Sequence, residues 1–405
     1  MTAGLLAALG ALVAAAGPFD GTQRLDAASG VVVSSSRVVG LAGAYAAVAE
    51  GLDGVRSNPA AEAQRDRHLE AGWDWDFVLA WLAPQPGDLA HQDVANSGHT
   101  DGHLSSFANL QLGLGGQRGR LGLALVASSW TLSAPRADGS TLLLGTSDVA
   151  LYVGWAFADE QVVVGAGAAA VRGQVQRAAP GLRTQTRTYD GGLLRAGLLW
   201  RPRGLPLRLG LTADPGSSAR ARTDPGLPVA TPTSFSFPSL LSLGGAVWLG
   251  PDAALLNEPS PAARRQLALG PGPPEEPGEP VLLSAQLDLV GRSRGAVSLD
   301  AFFDQGTGAA DPPSGRRPTL AVRLGGEWEA LPRRVAVRAG SYLEPSRTGA
   351  PLRPHATFGA DVRLHLHWDF RVGLAGDLAS RYQNLALSLG LWRDTGPRPP
   401  PPAGS

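Results

Sequence analysis

Residues 69–81 read Leu-Glu-Ala-Gly-Trp-Asp-Trp-Asp-Phe-Val-Leu-Ala-Trp, and no other stretch restricts the fold as much. The odd positions Leu69, Ala71, Trp73, Trp75, Phe77, Leu79 and Trp81 are apolar, and Glu70, Asp74 and Asp76 stand between them. Period-2 alternation places one set of side chains on each face of an extended strand. The run is about twice the usual length of a strand in a soluble protein. An indole-rich face opposite a carboxylate face suits a wall with lipid on one side and water on the other.

The pattern recurs. Ala356, Phe358, Ala360, Val362, Leu364, Leu366 and Trp368 alternate with Thr357, Gly359, Asp361, Arg363, His365, His367 and Asp369. Leu320, Val322, Leu324, Gly326 and Trp328 alternate with Arg323, Gly325 and Glu327, and Leu194, Ala196, Leu198 and Trp200 do so with Leu193, Arg195, Gly197 and Leu199. Val281 to Leu289 keep one parity through Val297, Leu299, Ala301 and Phe303, so 280–304 reads as a single long strand. The periodicity predicts fourteen strands: 67–82, 105–115, 119–133, 146–158, 161–176, 189–201, 206–214, 238–249, 280–304, 318–330, 334–343, 355–367, 370–379 and 384–392. Long connections at 83–104, 134–145, 177–188, 215–237, 305–317 and 344–354 alternate with short ones at 116–118, 159–160, 202–205, 331–333 and 368–369. Long loops outside and short turns inside are the outer-membrane arrangement. Two connections break the rule: 250–279 is long and proline-rich, and 380–383 is short. The expected fold class is therefore all-β, a 14-stranded antiparallel transmembrane β-barrel over 67–392.

Composition narrows the chemistry. With no cysteine among 405 residues, a disulfide scaffold, a zinc–cysteine site and a cysteine nucleophile are excluded. Thirty-five bases, all arginine, balance 35 acids, which argues against a nucleic-acid partner. Leu5 to Val13 are apolar and are followed by Ala14-Ala15-Ala16 before Gly17, as in a secretory signal peptide over 1–16, although no basic residue precedes them. The segment 30–66 is apolar and small over 41–49, does not read as a spanning strand, and is expected to fold inside the lumen as a plug. The tail 393–405 is proline-rich and is expected to be disordered.

Three blocks carry a resemblance. Arg37-Val-Val-Gly40-Leu-Ala-Gly43-Ala-Tyr45, followed by Asn58-Pro59-Ala60, resembles the N-terminal hatch of the long-chain fatty-acid transporter (FadL) family. Residues 237–246, Phe-Pro-Ser-Leu-Leu-Ser-Leu-Gly-Gly-Ala, are similar to that family's P-S-x-x-S-L-G strand. Residues 337–346, Val-Arg-Ala-Gly-Ser-Tyr-Leu-Glu-Pro-Ser, are similar to its R-A-G-Y…P-S strand. The resemblance implies a fourteen-stranded outer-membrane barrel with an N-terminal hatch over 17–66. It implies passive passage of small hydrophobic, fatty-acid-like molecules, which leave by a side opening in the wall. Gly40, Gly43, Tyr45, Asn58 and Pro59 are then the hatch or gating residues. PorV-type relatives of the fold are accessory subunits of secretion machines, and the polar 83–104 loop favours that alternative, a non-transporting subunit of an outer-membrane assembly.

Glu70, Asp74, Asp76, Arg195, Arg323, Arg338, Asp361 and Arg363 are expected to face the lumen, where acids and arginines should pair. His365 and His367, with Asp361 and Asp369, could hold a divalent metal, and a hydrated lumen face accounts for them as well. Gly291-Arg-Ser293-Arg-Gly295 matches G-x-S-x-G, but a nucleophile elbow needs a strand-to-helix turn and the pattern there continues as a strand. No catalysis, metal or cofactor is expected. The expected partners are the outer-membrane bilayer, a hydrophobic small molecule and, in the alternative, other outer-membrane or periplasmic proteins.

Overall fold

The computed structural model describes residues 19, 21–28, 30–64, 73–83, 92–98, 106–222, 226–227, 229–250, 253–257, 281–304, 313–331, 334–364 and 370–392. Fourteen antiparallel strands close into a barrel. They are β1 Trp73–Ala83, β2 Ser106–Arg118, β3 Leu121–Pro135, β4 Thr141–Phe157, β5 Val162–Ala178, β6 Gln185–Trp200, β7 Leu207–Asp214, β8 Leu240–Leu249, β9 Val281–Val290, β10 Thr319–Leu331, β11 Val335–Glu344, β12 Arg353–Arg363, β13 Phe370–Ala379 and β14 Tyr382–Leu391. Each strand pairs with the next, and β14 pairs with β1 from Leu385↔Ala83 to Gly390↔Val78.

The alternation sorts side chains by solvent. Leu79, Trp81, Leu110, Leu112, Leu114, Leu123, Leu125, Leu283 and Leu324 are exposed on the outer face. An apolar belt of this extent has no stable place in water. Trp75, Phe77, Trp155, Phe157, Trp200, Trp328 and Phe370 lie towards the ends of their strands that carry the short turns. Trp75 stacks on Phe77 at 6.1 Å, and Phe370 meets Phe77 edge-on at 5.5 Å. This is an aromatic girdle at one membrane interface.

Two strand readings are corrected. The stretch 280–304 is not one strand. β9 stops at Val290, residues 291–295 turn with Gly295 at φ +65°, and Leu299–Phe303 form a short helix, α3. Ser298 caps it, accepting a hydrogen bond from Ala301 N. Phe302 is fully buried and meets Phe19 edge-on at 5.8 Å. The apolar parity ran on because consecutive residues of α3, Ala301 to Phe303, are all buried. The expected long connections 134–145 and 177–188 are likewise shortened, because β3 to β6 keep their pairing as far as Pro135↔Thr141 and Arg177↔Gln185. The tight turn 136–140 remains. There the Ser140 hydroxyl, and then Arg177, hold the Asp138 carboxyl well below the usual range.

Residues 30–64 contribute α1 Ser36–Gly40, α2 Gly51–Val55 and a 3-10 turn at Pro59–Gln64, most of them buried. They touch inward-facing positions around the ring. Ser36 bonds Ser388 of β14, Gly40 O accepts from Thr357 of β12, and Tyr45 N donates to Gln286 of β9. The Asn58 amide reaches Leu198 O of β6, and Gln117 of β2 donates to Ala63 O. Short strands Ser217–Ala221, Ser234–Phe237, Arg24–Asp26, Ala296–Val297 and Pro313–Ser314 pair in that order as a ribbon at the long-loop end. Among the described residues no helix is long and apolar enough to cross a membrane, which says nothing of a barrel. Residues 1–18, the tail 393–405 and most of 250–279 lie outside the described residues.

Candidate functional site

Inward glycines let the segment 36–64 lie against the wall. A Cβ on Gly165 would fall on the Pro59 backbone, and one on Gly210 on the Ala46 carbonyl. One on Gly325 would lie 2.7 Å from Leu41 O. Each position has a glycine because backbone meets backbone there. The residues expected to form a hatch sit in these contacts. Gly40 packs against Arg338 and Gly359, and Gly43, at φ +76°, against Arg323. Tyr45 is fully buried, with the Arg37 guanidinium 5.5 Å from its ring centroid. Pro59 packs on Gly165 and Gly197.

Asn58 ties three pieces of backbone together. Its Nδ2 donates to Ala46 O at 2.8 Å and to Leu198 O at 3.1 Å, and its Oδ1 accepts from Ala60 N at 3.0 Å. Asn58→Asp turns the two donors into an acceptor facing carbonyls. The expected cost is about 1–3 kcal/mol, the range for a buried group left unsatisfied, read as a lower urea midpoint with an unchanged barrel by circular dichroism.

A charge network joins the segment to the wall. Arg37 grips Glu327 of β10 at 2.9 and 2.7 Å and Glu50 at 3.1 Å. Glu50 also pairs with Arg208 of β7 at 2.8 Å. Arg338 of β11 bonds both Glu327 and Asp361, the latter at 2.9 Å. Arg371 of β13 reaches Asp361 at 2.5 Å and Asp53 of α2. Four arginines thus meet four carboxylates, so buried charge cancels. Asp76 accepts from Leu52 N at 3.1 Å, and Asp74 is half-buried with its carboxylate on Trp75 N. Arg195 and Arg323 lie elsewhere on the inner face, described below, and Arg363 is half-buried at the last position of β12. Glu70, His365 and His367 lie outside the described residues. Among the described residues no group of three or more His, Asp or Glu side chains could hold a metal.

Among the described residues the wall is interrupted between β6 and β7. β6 pairs with β7 from Ala196↔Ala213 to Trp200↔Leu209, and its next partners are Arg220 and Ala221, opposite Asp190 and Tyr189. Residues 191–195 are left unpaired on that side. Pro215 cannot donate to a ladder, and Gly216, at φ +81°, turns the chain away. Behind this seam lies a cavity of about 220 Å³ between the wall and Ala28 and Gly30. Leu193, Leu194, Phe237, Leu240, Val290 and Ala321 supply its apolar lining. Of its charged lining residues, Arg195 and Asp214 are the more accessible, and Arg323, Asp288 and Arg347 the more buried. Sequence reading missed Asp214, Asp288 and Gln286. The available signal was a polar residue at every second position of 284–288, on the side opposite the leucines.

No family model and no curated protein sequence matches the chain. Solved structures do. The chain is similar to the CymD monoaromatic hydrocarbon channel, at 13% identity over 90% of this chain and 97% of that one, with a TM-score of 0.55. It is similar to a Pseudomonas aeruginosa FadL homologue, at 12% identity over 90% and 99%, with a TM-score of 0.54. It is similar to the P. putida toluene transporter TodX, at 12% identity over 90% and 99%, with a TM-score of 0.50. At these identities the likeness is one of fold. The chain shares the fold of FadL-type transporters.

Proposed function

We propose that the chain is an outer-membrane channel that passes small hydrophobic molecules without catalysis. Residues 30–64 serve as the plug, and the β6–β7 seam serves as the side opening. The observation that carries this reading is the cavity of about 220 Å³, apolar on most of its lining, which lies between the N-terminal segment and an unpaired stretch of wall. A hydrophobic solute reaching it stays out of water, and the seam leads towards the lipid-facing side. The similar structures include a monoaromatic hydrocarbon channel and a toluene transporter, which supports a hydrophobic solute.

The test is uptake of a labelled hydrophobic probe by cells carrying the protein in their outer membrane. Uptake should exceed the empty-vector level several-fold. Leu193→Trp and Leu240→Trp, which narrow the cavity, should bring it back towards that level at equal surface amounts. Vector-level uptake by the unmodified chain, with a stable partner protein recovered from the membrane, would favour the assembly-subunit alternative instead.

A further inference from the structure

The cavity behind the seam carries three arginines, and each is already engaged. Arg195 gives Nε to Asp214 at 2.7 Å, a second nitrogen to the same carboxylate, and its third to the Arg56 carbonyl. Arg323 bonds Asp288 at 2.6 Å and the Ala42 and Gly30 carbonyls at 3.2 and 3.5 Å. Arg347 bonds Asp26 at 2.7 Å, Ser293 Oγ at 3.0 Å and Gly291 O at 3.2 Å. The guanidiniums are therefore matched one to one by aspartates.

That pairing decides what can enter. A carboxylate leaving water needs a cation to replace its hydration. Here it would have to displace Asp214 or Asp288 and leave that aspartate buried without a partner, which is strongly unfavourable. An uncharged molecule meets no such barrier, because it packs on Leu193, Leu194, Leu240 and Ala321 and leaves each pair intact. A dry apolar cavity of roughly 150 Å³ holds benzene. The volume here, about 220 Å³, is enough for one ring with a small substituent.

We propose that this cavity is a binding site for an uncharged apolar molecule of about one ring, and that the Arg195–Asp214 pair makes it reject carboxylates. The inference takes the cavity as the ligand site of the channel proposed above. It replaces the fatty-acid-like solute implied by the sequence resemblance with a neutral one.

The test uses two probes that share a ring, toluene and benzoate, with the full chain in lipid nanodiscs at pH 7.5 and empty nanodiscs as background. Saturation-transfer NMR should show toluene binding above background and benzoate at background. Ala321→Phe, which fills the cavity, should remove the toluene signal. Asp214→Asn keeps the shape of the side chain and frees the Arg195 charge, so benzoate binding should appear and exceed the unmodified protein's several-fold. Equal binding of the two probes by the unmodified protein overturns the proposal, as does toluene binding that survives Ala321→Phe. Binding as stated, combined with vector-level uptake in cells, would leave the site standing and end the transport reading.

Discussion

Replacing Arg338 by alanine lowers the stability of the barrel by about 3–5 kcal/mol, the range for removing one partner of a buried ion pair. The guanidinium lies between Glu327 and Asp361 and is nearly inaccessible. Its loss leaves two carboxylates to face fewer cations. Arg37 still holds Glu327, and Arg371 still holds Asp361, so the lower part of that range is expected. Arg338→Lys keeps the charge and loses the fork that serves both acids, and it should fall between alanine and the parent. The measurement is the urea midpoint of the heat-modifiable folded band. A midpoint for Arg338→Ala equal to the parent's would mean that the network contributes nothing.

Gly210→Val should expel the N-terminal segment and leave the barrel standing. A Cβ at position 210 falls on the Ala46 carbonyl, and β7 cannot retreat, because Gly210 is paired with Leu199 on one side and Gly244 on the other. Overpacking of this kind costs about 1–3 kcal/mol where a side chain can yield, and more where backbone meets backbone. Valine is a better strand former than glycine, so the strand itself is not weakened. The expected result is a barrel that still folds but has a lower urea midpoint, because Glu327, Arg208 and Arg371 lose Arg37, Glu50 and Asp53, and that has two new properties. Residues 30–64 become open to protease, and planar bilayers show a conductance for small ions, as they should for a chain lacking 17–64. A protein that stays closed and protease-resistant would show that the segment is not held by this contact.

Much of the wall was legible in the sequence because lipid and water impose opposite demands on neighbouring residues. Leu320 to Trp328, Ala321 apart, and Ala356 to Val362 alternate with polar or glycine positions, and their strands follow. Where that demand lapsed, the reading failed. Val297 to Phe303 kept the apolar parity in the connection between β9 and β10, where they are mostly buried and neither solvent sorts the faces, and a capped helix satisfied it equally well. Ion pairs were legible only as a class. That Arg338 would meet Asp361 follows from their strands being neighbours. That Arg371 would also meet Asp53 depends on a helix more than 300 residues away. The seam left a local mark, Pro215-Gly216 after β7, but a proline and glycine there look the same whether they end a strand or turn it inwards.

The way the ring closes has a consequence for biogenesis. The last strand made, β14, zips onto the first, β1, through six residue pairs, against thirteen between β2 and β3 and seventeen between β4 and β5. Contacts so distant along the chain form late. Residues 37–56 carry charges paired with both halves of the wall, so they must be seated before that join is made. Catalysts of insertion would therefore receive a curved, unclosed ribbon already wrapped around its own leading end.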